Sequence, residues 1–509
     1  MPIPIINSII SWFLKKRKHQ IDLFIKYPID VQDEVLSHLI TKAKNTEYGR
    51  AYDFQSIKTY KDFNEKVPIV KYESLEPYIS RARKNEENIL WPGKIKWFAK
   101  SSGTTNAKSK FIPVSQEAIE DCHFKAGKDM LCLYINNNQN AQLFVGKSLR
   151  LGGSSSIYED NDTYFGDLSA IIIENLPLWA DLGSAPKQST ALLGEWESKL
   201  DKIIDETLDE NITSLIGVPS WMMVLINKVL ERTGKSNILE VWPNLEVYFH
   251  GGVNFDPYRE QYKKLIPNSS FQYYENYNAS EGFFAIQDKN ESEGMLLMLD
   301  YGVYYEFIPM SDFEEENSVA IPLQEVELDK NYAIVISTNS GLFRYLIGDT
   351  VKFTSLSPYR INVTGRTKHF INAFGEELII ENTEKALERT CKAHGIEIKD
   401  YSVAPYFSLS KQAGSHEWMI EFRSEPRDLD AFSSDLDLEL QALNSDYEAK
   451  RFKNITLNPP IIHVARKNLF YDWLKKNDKL GGQHKVPRLW NNNEFMTELI
   501  EMNMVKSFD

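Results

Sequence analysis

The sequence predicts an α/β body followed by a smaller α+β domain, and three observations support this. Helix-period segments and apolar strand-like segments alternate over roughly the first 365 residues. The last ~145 residues change order, to helix, strand, strand, helix, strand, as in a compact α+β unit. The chain of 509 residues, 42% hydrophobic and 26% charged, has an ordinary globular composition, which excludes disordered, collagen-like and fibrous classes. Its length allows about three domains at ~150 residues each. No fixed-period repeat appears, so solenoids and propellers are excluded as well. The boundary is placed at the short polar stretch near Gly365-Arg366, giving domains 1–365 and 366–509, the second able to move.

The elements follow in order. The apolar stretch from Ile3 to Leu14 is interrupted by Pro4, Asn7 and Ser8 and is too short to span a bilayer. Lys15, Lys16, Arg17 and Lys18 come after it rather than before, the reverse of a signal peptide. It reads as a docked first helix with a solvated basic end, and membrane-surface attachment is the alternative. Val35, Leu36, Leu39 and Ile40 give residues 33–46 a helical face, and Leu192, Trp196, Leu200, Ile203 and Ile204 do the same for 188–208. Pro219 opens a further helix that Gly234 is placed to close. Strands are expected at Leu245–His250, Phe271–Tyr277, Met295–Leu299, Ala333–Thr338 and Val351–Thr354. In the second domain the order is a helix from Glu381 to His394 ended by Gly395, strands Tyr401–Phe407 and Trp418–Phe422, a helix over 428–450, and a strand Ile461–Val464.

Charge and cysteine content narrow the partners. With 58 Lys+Arg against 72 Asp+Glu the formal charge is -14, which argues against nucleic acid as a partner and leaves a local basic pocket for phosphate open. Cys122, Cys132 and Cys391 form an odd, widely spaced set that suggests neither a disulfide framework nor zinc, and fits buried thiols in a reducing cytoplasm. A monomer is expected.

The strongest local signal is Ser101-Ser102-Gly103-Thr104-Thr105-Asn106-Ala107-Lys108-Ser109-Lys110. Four hydroxyls around one glycine, followed by two lysines, supply donors and positive charge for phosphate oxygens. It is not a Walker loop, because Lys108 stands where the second glycine is required; standing alone it is equally a polar surface turn. His250-Gly251-Gly252-Val253 follows a strand, as does Tyr277-Asn278-Ala279-Ser280-Glu281-Gly282. The second segment offers an aromatic face, a hydroxyl and a carboxylate able to hold Mg2+ beside phosphates. Gly348-Asp349 suits paired ribose hydroxyls, or a hairpin turn. Gly365-Arg366 precedes the second domain.

In this order, the segments resemble the adenylate-forming superfamily of acyl-CoA synthetases and luciferases. Ser101–Pro113, Tyr277–Gly282 and Tyr345–Asp349 most resemble the auxin-inducible Gretchen Hagen family of acyl-acid amido synthetases, bacterial branch included. Thr46-Glu47-Tyr48-Gly49 resembles the early T-x-Y-G segment of that family, and Gly482-Gln483-His484-Lys485-Val486-Pro487-Arg488 its late G-Q-x-K-x-P-R. Asn106 departs from the glycine often found there. The resemblance implies a large body of adenylate-forming type with a mobile C-terminal domain, and the cofactors ATP and Mg2+. It implies that Ser101, Ser102, Gly103, Thr104, Thr105 and Lys110 cradle phosphates, that Gly251, Gly252 and Val253 lie along the adenine, and that Tyr277 packs on that ring. By the same resemblance Ser280 and Glu281 bind phosphate and metal, Asp349 holds the ribose, Arg366 contacts it near a hinge at 366–369, and Lys485 acts in adenylation.

The implied activity joins a carboxylic acid to an amino acid with release of AMP and pyrophosphate. Transfer to the thiol of coenzyme A is one alternative, and a non-catalytic nucleotide-binding or membrane-peripheral protein of the same fold is another. His250 and His369 are general-base candidates better read as structural; His463 and His484 lack metal-ligand spacing. Asp435 and Asp437 read as a solvated helix face. Trp179, Phe283 and Phe284 read most simply as core, with an apolar acyl pocket as the sharper alternative.

Overall fold

The computed structural model describes residues 17–101, 110–152, 157–160, 162–194, 196–252, 255–313, 318–367, 370–371, 376, 378–406, 414–444, 447–448, 451, 457–477, 479–480, 485–490 and 493–504. It divides into two compact units. One holds residues up to Ile347 together with Lys352–Asn362; the other holds Gly348–Val351, Val363–Leu480 and the residues from His484 on.

Among the described residues of the first unit a long mixed sheet contains a parallel run, Ser184–Ala185, Lys147–Leu151, Ile212–Gly217, Val247–Gly251 and Gln272–Ala279. Val247–Gly251 is buried throughout, as expected of a strand inside a covered parallel sheet. The sheet turns antiparallel where Gln272–Ala279 pairs with Gly282–Ile286. A separate small sheet pairs Trp97–Ser101 antiparallel with Lys110–Val114 and parallel with Thr163–Gly166.

The strands expected from the apolar runs are present with shifted ends: Val247–Gly251, Gln272–Ala279, Met295–Leu297 and Asn331–Thr338. Val351–Thr354 is the middle of a much longer strand, Tyr345–Leu356, whose half-buried, polar-interrupted sequence hid its length. The helix expected over 33–46 runs Pro28–Ala43, and Pro219–Thr233 is closed by Gly234 at φ 67, the left-handed residue that a helix end favours. The helix read over 188–208 is two helices, Gln188–Ala191 and Trp196–Thr207, broken around Gly194, a poor helix former.

In the second unit three strands form one sheet, Ile398–Tyr406 antiparallel to Ser415–Phe422, which runs parallel to Ile461–Val464. Alternate residues face opposite sides. Tyr401, Val403, Trp418 and Ile420 join Leu387, Phe432 and Leu436 of the helices Ile380–His394 and Leu429–Leu443. Ala404 and Met419 join Phe470, Trp473, Phe495 and Leu499. The helices Leu469–Lys476 and Glu494–Met504 that supply this second layer were absent from the sequence reading, so the sheet is covered on both faces rather than one.

Two readings of polar residues are corrected. The helix over 428–450 stops at Leu443, where Asn444 turns out of helical geometry and its Oδ1 accepts the Tyr447 amide at 2.8 Å, the local competition that Asn side chains offer to a helix. The chain then folds back and buries Asp437, which accepts Arg451 Nε at 2.6 Å, Arg451 Nη2 at 2.7 Å and the Tyr447 hydroxyl at 2.8 Å. Asp435 pairs with His394 at 2.7 Å and is exposed, as expected; only Asp437 departs from a solvated face. The basic stretch 15–18 is likewise not uniformly solvated: Arg17 donates to Asp129 at 2.9 Å and to Asp300 at 2.8 Å. The apolar residues Ile3 to Leu14 lie outside the described residues. All three cysteines are buried and unbridged, and no helix among the described residues is long and apolar enough to cross a membrane.

Candidate active site

In the first unit the candidate residues cluster at one edge of the parallel run. The strand Val247–Gly251 places Gly251 opposite Asn276. A Cβ on Gly251 would collide with the Asn276 carbonyl and side chain, so only glycine permits this backbone approach. Gly252 follows at φ 81, again in a glycine region. His250, one residue earlier, is buried with its ring stacked on Phe255 at 4.1 Å. Burial, and then the charge of Arg259, push its pKa down to about 3, which leaves a neutral ring of little basicity in a packing role.

Ser280 and Glu281 form the two-residue turn between Gln272–Ala279 and Gly282–Ile286, because Ala279 pairs directly with Gly282. Ser280 is buried and Glu281 half-buried. The buried Tyr345 phenol lies near the Glu281 carboxylate; burial first and the charge of this carboxylate next push the tyrosine pKa up. Tyr345 is itself fixed by the backbone, since the amide of Leu346 donates to the Val70 carbonyl at 2.9 Å and the amide of Val70 to the Arg344 carbonyl at 2.9 Å. The Tyr277 ring is buried against Phe284 at 5.0 Å, and Phe283 and Phe284 are both core residues.

One half-buried carboxylate at a turn fits Mg2+, which takes one or two carboxylates and completes its shell with water and phosphate oxygens. Among the described residues no group of three or more acid, histidine or cysteine side chains makes an all-protein cage.

The second unit assembles another cluster. Asp349 lies inside the strand Tyr345–Leu356 rather than at a hairpin turn. It accepts Arg366 Nε at 2.7 Å, with Asp349 buried and the Arg366 side chain 45% exposed. Gly348 at φ 91 and the 2.8 Å bond from the Thr367 amide to its carbonyl shape the backbone here.

Lys485 enters on a segment anchored to the strand Ile398–Tyr406. The Val403 amide donates to the Arg488 carbonyl at 2.8 Å and the Ser402 hydroxyl to the Pro487 carbonyl at 2.6 Å. Arg488 pairs with Asp400 and lies over the Tyr401 ring at 4.6 Å. Pro487 and Arg488 are thus the fixed part of the late motif. Lys485 is exposed. Partial loss of hydration around its ammonium, then the positive charges of Arg366 and Arg488, push its pKa down to about 8, while Asp349 acts in the opposite direction. Lys485, more than a hundred residues further along the chain, is therefore an electrostatic neighbour of Asp349 and Arg366.

Other expected residues fall elsewhere. Lys110 begins the strand Lys110–Val114, its ammonium 5.5 Å from the Tyr72 ring centre. Ser101 ends the strand Trp97–Ser101. Ser102, Gly103, Thr104, Thr105, Lys108, Val253, His369 and His484, and the side chains of Ser101 and Trp179, lie outside the described residues. Two contributors were missed by the sequence reading. Tyr345 carried a signal, since it opens the Tyr-Leu-Ile-Gly-Asp segment; Asp400, which holds Arg488, carried none.

The early T-x-Y-G segment proves to be architectural. Thr46 caps the helix Glu47–Ala51 through the Gly49 amide at 3.0 Å, Tyr48 stacks on Phe343 at 5.8 Å, and Gly49 approaches the Ala43 carbonyl too closely for any Cβ.

Three family models match in succession: the GH3 family N-terminal domain over 17–271, the GH3 family central domain over 296–366 and the GH3 family C-terminal domain over 381–494. The chain is 23% identical to the indole-3-acetic acid-amido synthetase GH3.4 of Arabidopsis thaliana, covering 92% of this chain and 90% of that protein. It is also 23% identical to the 4-substituted benzoates-glutamate ligase GH3.12 of the same plant, covering 90% and 92%. Its fold matches the GH3.15 acyl acid amido synthetase with a TM-score of 0.80 at 16% identity, over 97% of both chains. It also matches 2-hydroxyisobutyryl-CoA ligase in a postadenylation state, with a TM-score of 0.58 at 12% identity, over 92% of this chain and 90% of that one.

Proposed function

The chain belongs to the GH3 family, and from that premise we propose that it is an ATP-dependent ligase that adenylates a carboxylic acid and joins the acyl group to an amino acid. The observation that carries this reading is the pair of clusters: a glycine-lined edge with the Glu281 turn in one unit, and Asp349, Arg366 and Lys485 in the other. Each matches one half of what an acyl adenylate requires.

In the first half-reaction a carboxylate oxygen attacks the α-phosphorus of ATP, the bond to the β-phosphate oxygen breaks, and pyrophosphate leaves. Gly251, Gly252 and Val253 give the adenine a flat backbone surface, with Tyr277 beside it. Ser101, Ser102, Gly103, Thr104, Thr105 and Lys110 hold phosphate oxygens, as does Ser280. Glu281 would hold Mg2+, with the Tyr345 phenol near the carboxylate, and the metal when bound would neutralise phosphate charge. Asp349 accepts from the ribose hydroxyls, Arg366 borders the ribose, and the Lys485 ammonium offsets negative charge growing on oxygen in the transition state.

In the second half-reaction the amine nitrogen attacks the acyl carbon, the C–O bond to AMP breaks, and the amine gives up a proton. Domains 1–365 and 366–509 reorient about residues 366–369 between the two steps, which exchanges the groups around the acyl carbon while water stays out.

The test is ATP–pyrophosphate exchange by the purified protein over a panel of carboxylic acids, followed by product mass spectrometry with amino acids and coenzyme A supplied together. Acid-dependent exchange and an amide product are expected. A thioester product would replace the acceptor, and ATP binding without exchange for any acid would remove the adenylation step.

A further inference from the structure

The GH3 reading leaves unassigned one arginine beside the hydroxyl-rich loop. The helix Tyr72–Ala82 ends at Arg83, whose guanidinium carbon lies 3.7 Å from the centre of the Phe111 ring and 5.1 Å from that of Phe165. Tyr158 stacks on Phe165 at 5.0 Å and Phe111 meets Phe165 edge-on at 5.5 Å, so the cation sits on an aromatic platform.

Arg17, Arg344, Arg360 and Arg451 each place two guanidinium nitrogens on carboxylates. Arg83 does not: its Nε is buried without a hydrogen-bond partner, and no ion pair engages the side chain among the described residues. Stacking holds a guanidinium by its face, and with Nε buried it is the Nη edge, whose paired N–H groups match phosphate geometry, that a ligand can reach.

The place is specific. Phe111 pairs with Lys100, and Ser101 with Lys110, across the two strands that bracket the hydroxyl-rich loop. Tyr72, at the start of the same helix as Arg83, accepts the Phe111 amide at 2.9 Å and lies under Lys110. Lys100 and Lys110 have no carboxylate partner among the described residues either. Cross-strand partners share a face and neighbours along a strand alternate, so Lys100 lies on the Phe111 face with Arg83 while Lys110 lies on the opposite face; in a chain of net charge -14, two cations on one face without anionic partners among the described residues point to an anionic ligand.

Resting on the ligase reading above, we infer that Arg83, stacked on Phe111, binds the β- and γ-phosphates of ATP and the pyrophosphate released from them, with Lys100 beside it. AMP lacks both phosphates, so the acyl-adenylate would not feel this residue. Arg83 would thereby favour ATP on entry and hold the leaving group as charge develops on it.

The test titrates the full chain with ATP, AMP and inorganic pyrophosphate by calorimetry, comparing the unsubstituted protein with Arg83→Met and Arg83→Lys. Methionine keeps a flexible stem over Phe111 without charge. Lysine keeps the charge without the fork. Arg83→Met is expected to weaken ATP and pyrophosphate on the order of 10- to 100-fold with AMP unchanged, the size of a lost charge-assisted hydrogen-bond pair. Arg83→Lys is expected to recover part of that loss. Affinities for ATP and pyrophosphate in Arg83→Met equal to those of the unsubstituted protein would overturn the assignment, as would a parallel loss of ATP and AMP accompanied by a lower melting temperature. Failure of the unsubstituted protein to bind ATP or AMP would instead overturn the ligase reading on which the inference rests.

Discussion

Two Asp–Arg pairs in the second unit show how the same chemistry serves different ends. Asp437 and Arg451 are both buried, joined by two hydrogen bonds, with Tyr447 and Gln441 also donating to the carboxylate and Arg451 Nη1 donating to the Leu457 carbonyl at 2.7 Å. Asp349 and Arg366 share a single described bond, and nearly half of the arginine faces water. The first pair ties a helix to the segment that folds back on it. The second lies near Lys485, with its arginine at the surface. A buried network holds a fold, whereas a pair whose arginine reaches water near a further cation is suited to binding.

Four substitutions sharpen or break that contrast. The largest effect is expected for Asp437→Ala, which leaves the Arg451 charge buried and unpaired; removing one partner of such a pair costs about 3–5 kcal/mol, read as a lower denaturation midpoint. If stability were unchanged, the network would not be holding the fold.

Next in size is Lys485→Ala, expected to slow acid-dependent ATP–pyrophosphate exchange on the order of 10²–10³-fold with the melting curve little changed. The charged form of Lys485 is the useful one, and its pKa lies near about 8. Exchange should therefore fall as pH rises through that value, and Lys485→Arg should carry the fall to higher pH. A pH profile flat from 7 to 10 would contradict the role.

Asp349→Ala is expected to raise the KM for ATP roughly 10-fold or more, the worth of a hydrogen bond to a charged group, while costing far less stability than Asp437→Ala. Equal stability losses in the two variants would erase the contrast. The smallest effect is Thr46→Ala, which removes a helix cap worth about 1 kcal/mol and should leave nucleotide binding unchanged, because this segment is architectural.

Much of the fold was legible because it is written in local periodicity. Pro219 and Gly234 bound their helix, Gly395 closes Ile380–His394 at φ 65, and Ile461–Val464 appears with the expected ends. The order of the loop, glycine-pair, Tyr-x-x-Ser-Glu and Gly-Asp segments was enough to indicate the family. What was not legible depended on distant partners. Asp437 looks like any helix-surface acid until Arg451 returns to it, and Arg17 looks like part of a basic tail until Asp129 and Asp300 meet it. The two last described helices escaped because they are short and their apolar faces are completed by alternate residues of a sheet some seventy positions earlier.

The sequence alone determined the fold class, the family and the order of the chemical segments, since these rest on composition, periodicity and short motifs. The tertiary structure decided which carboxylate pairs with a buried arginine and which with an exposed one, why Gly251 must be glycine, and that Lys485 stands near Asp349 and Arg366. The physical reason is that burial and electrostatics depend on distances through space, which chain folding sets and sequence separation does not.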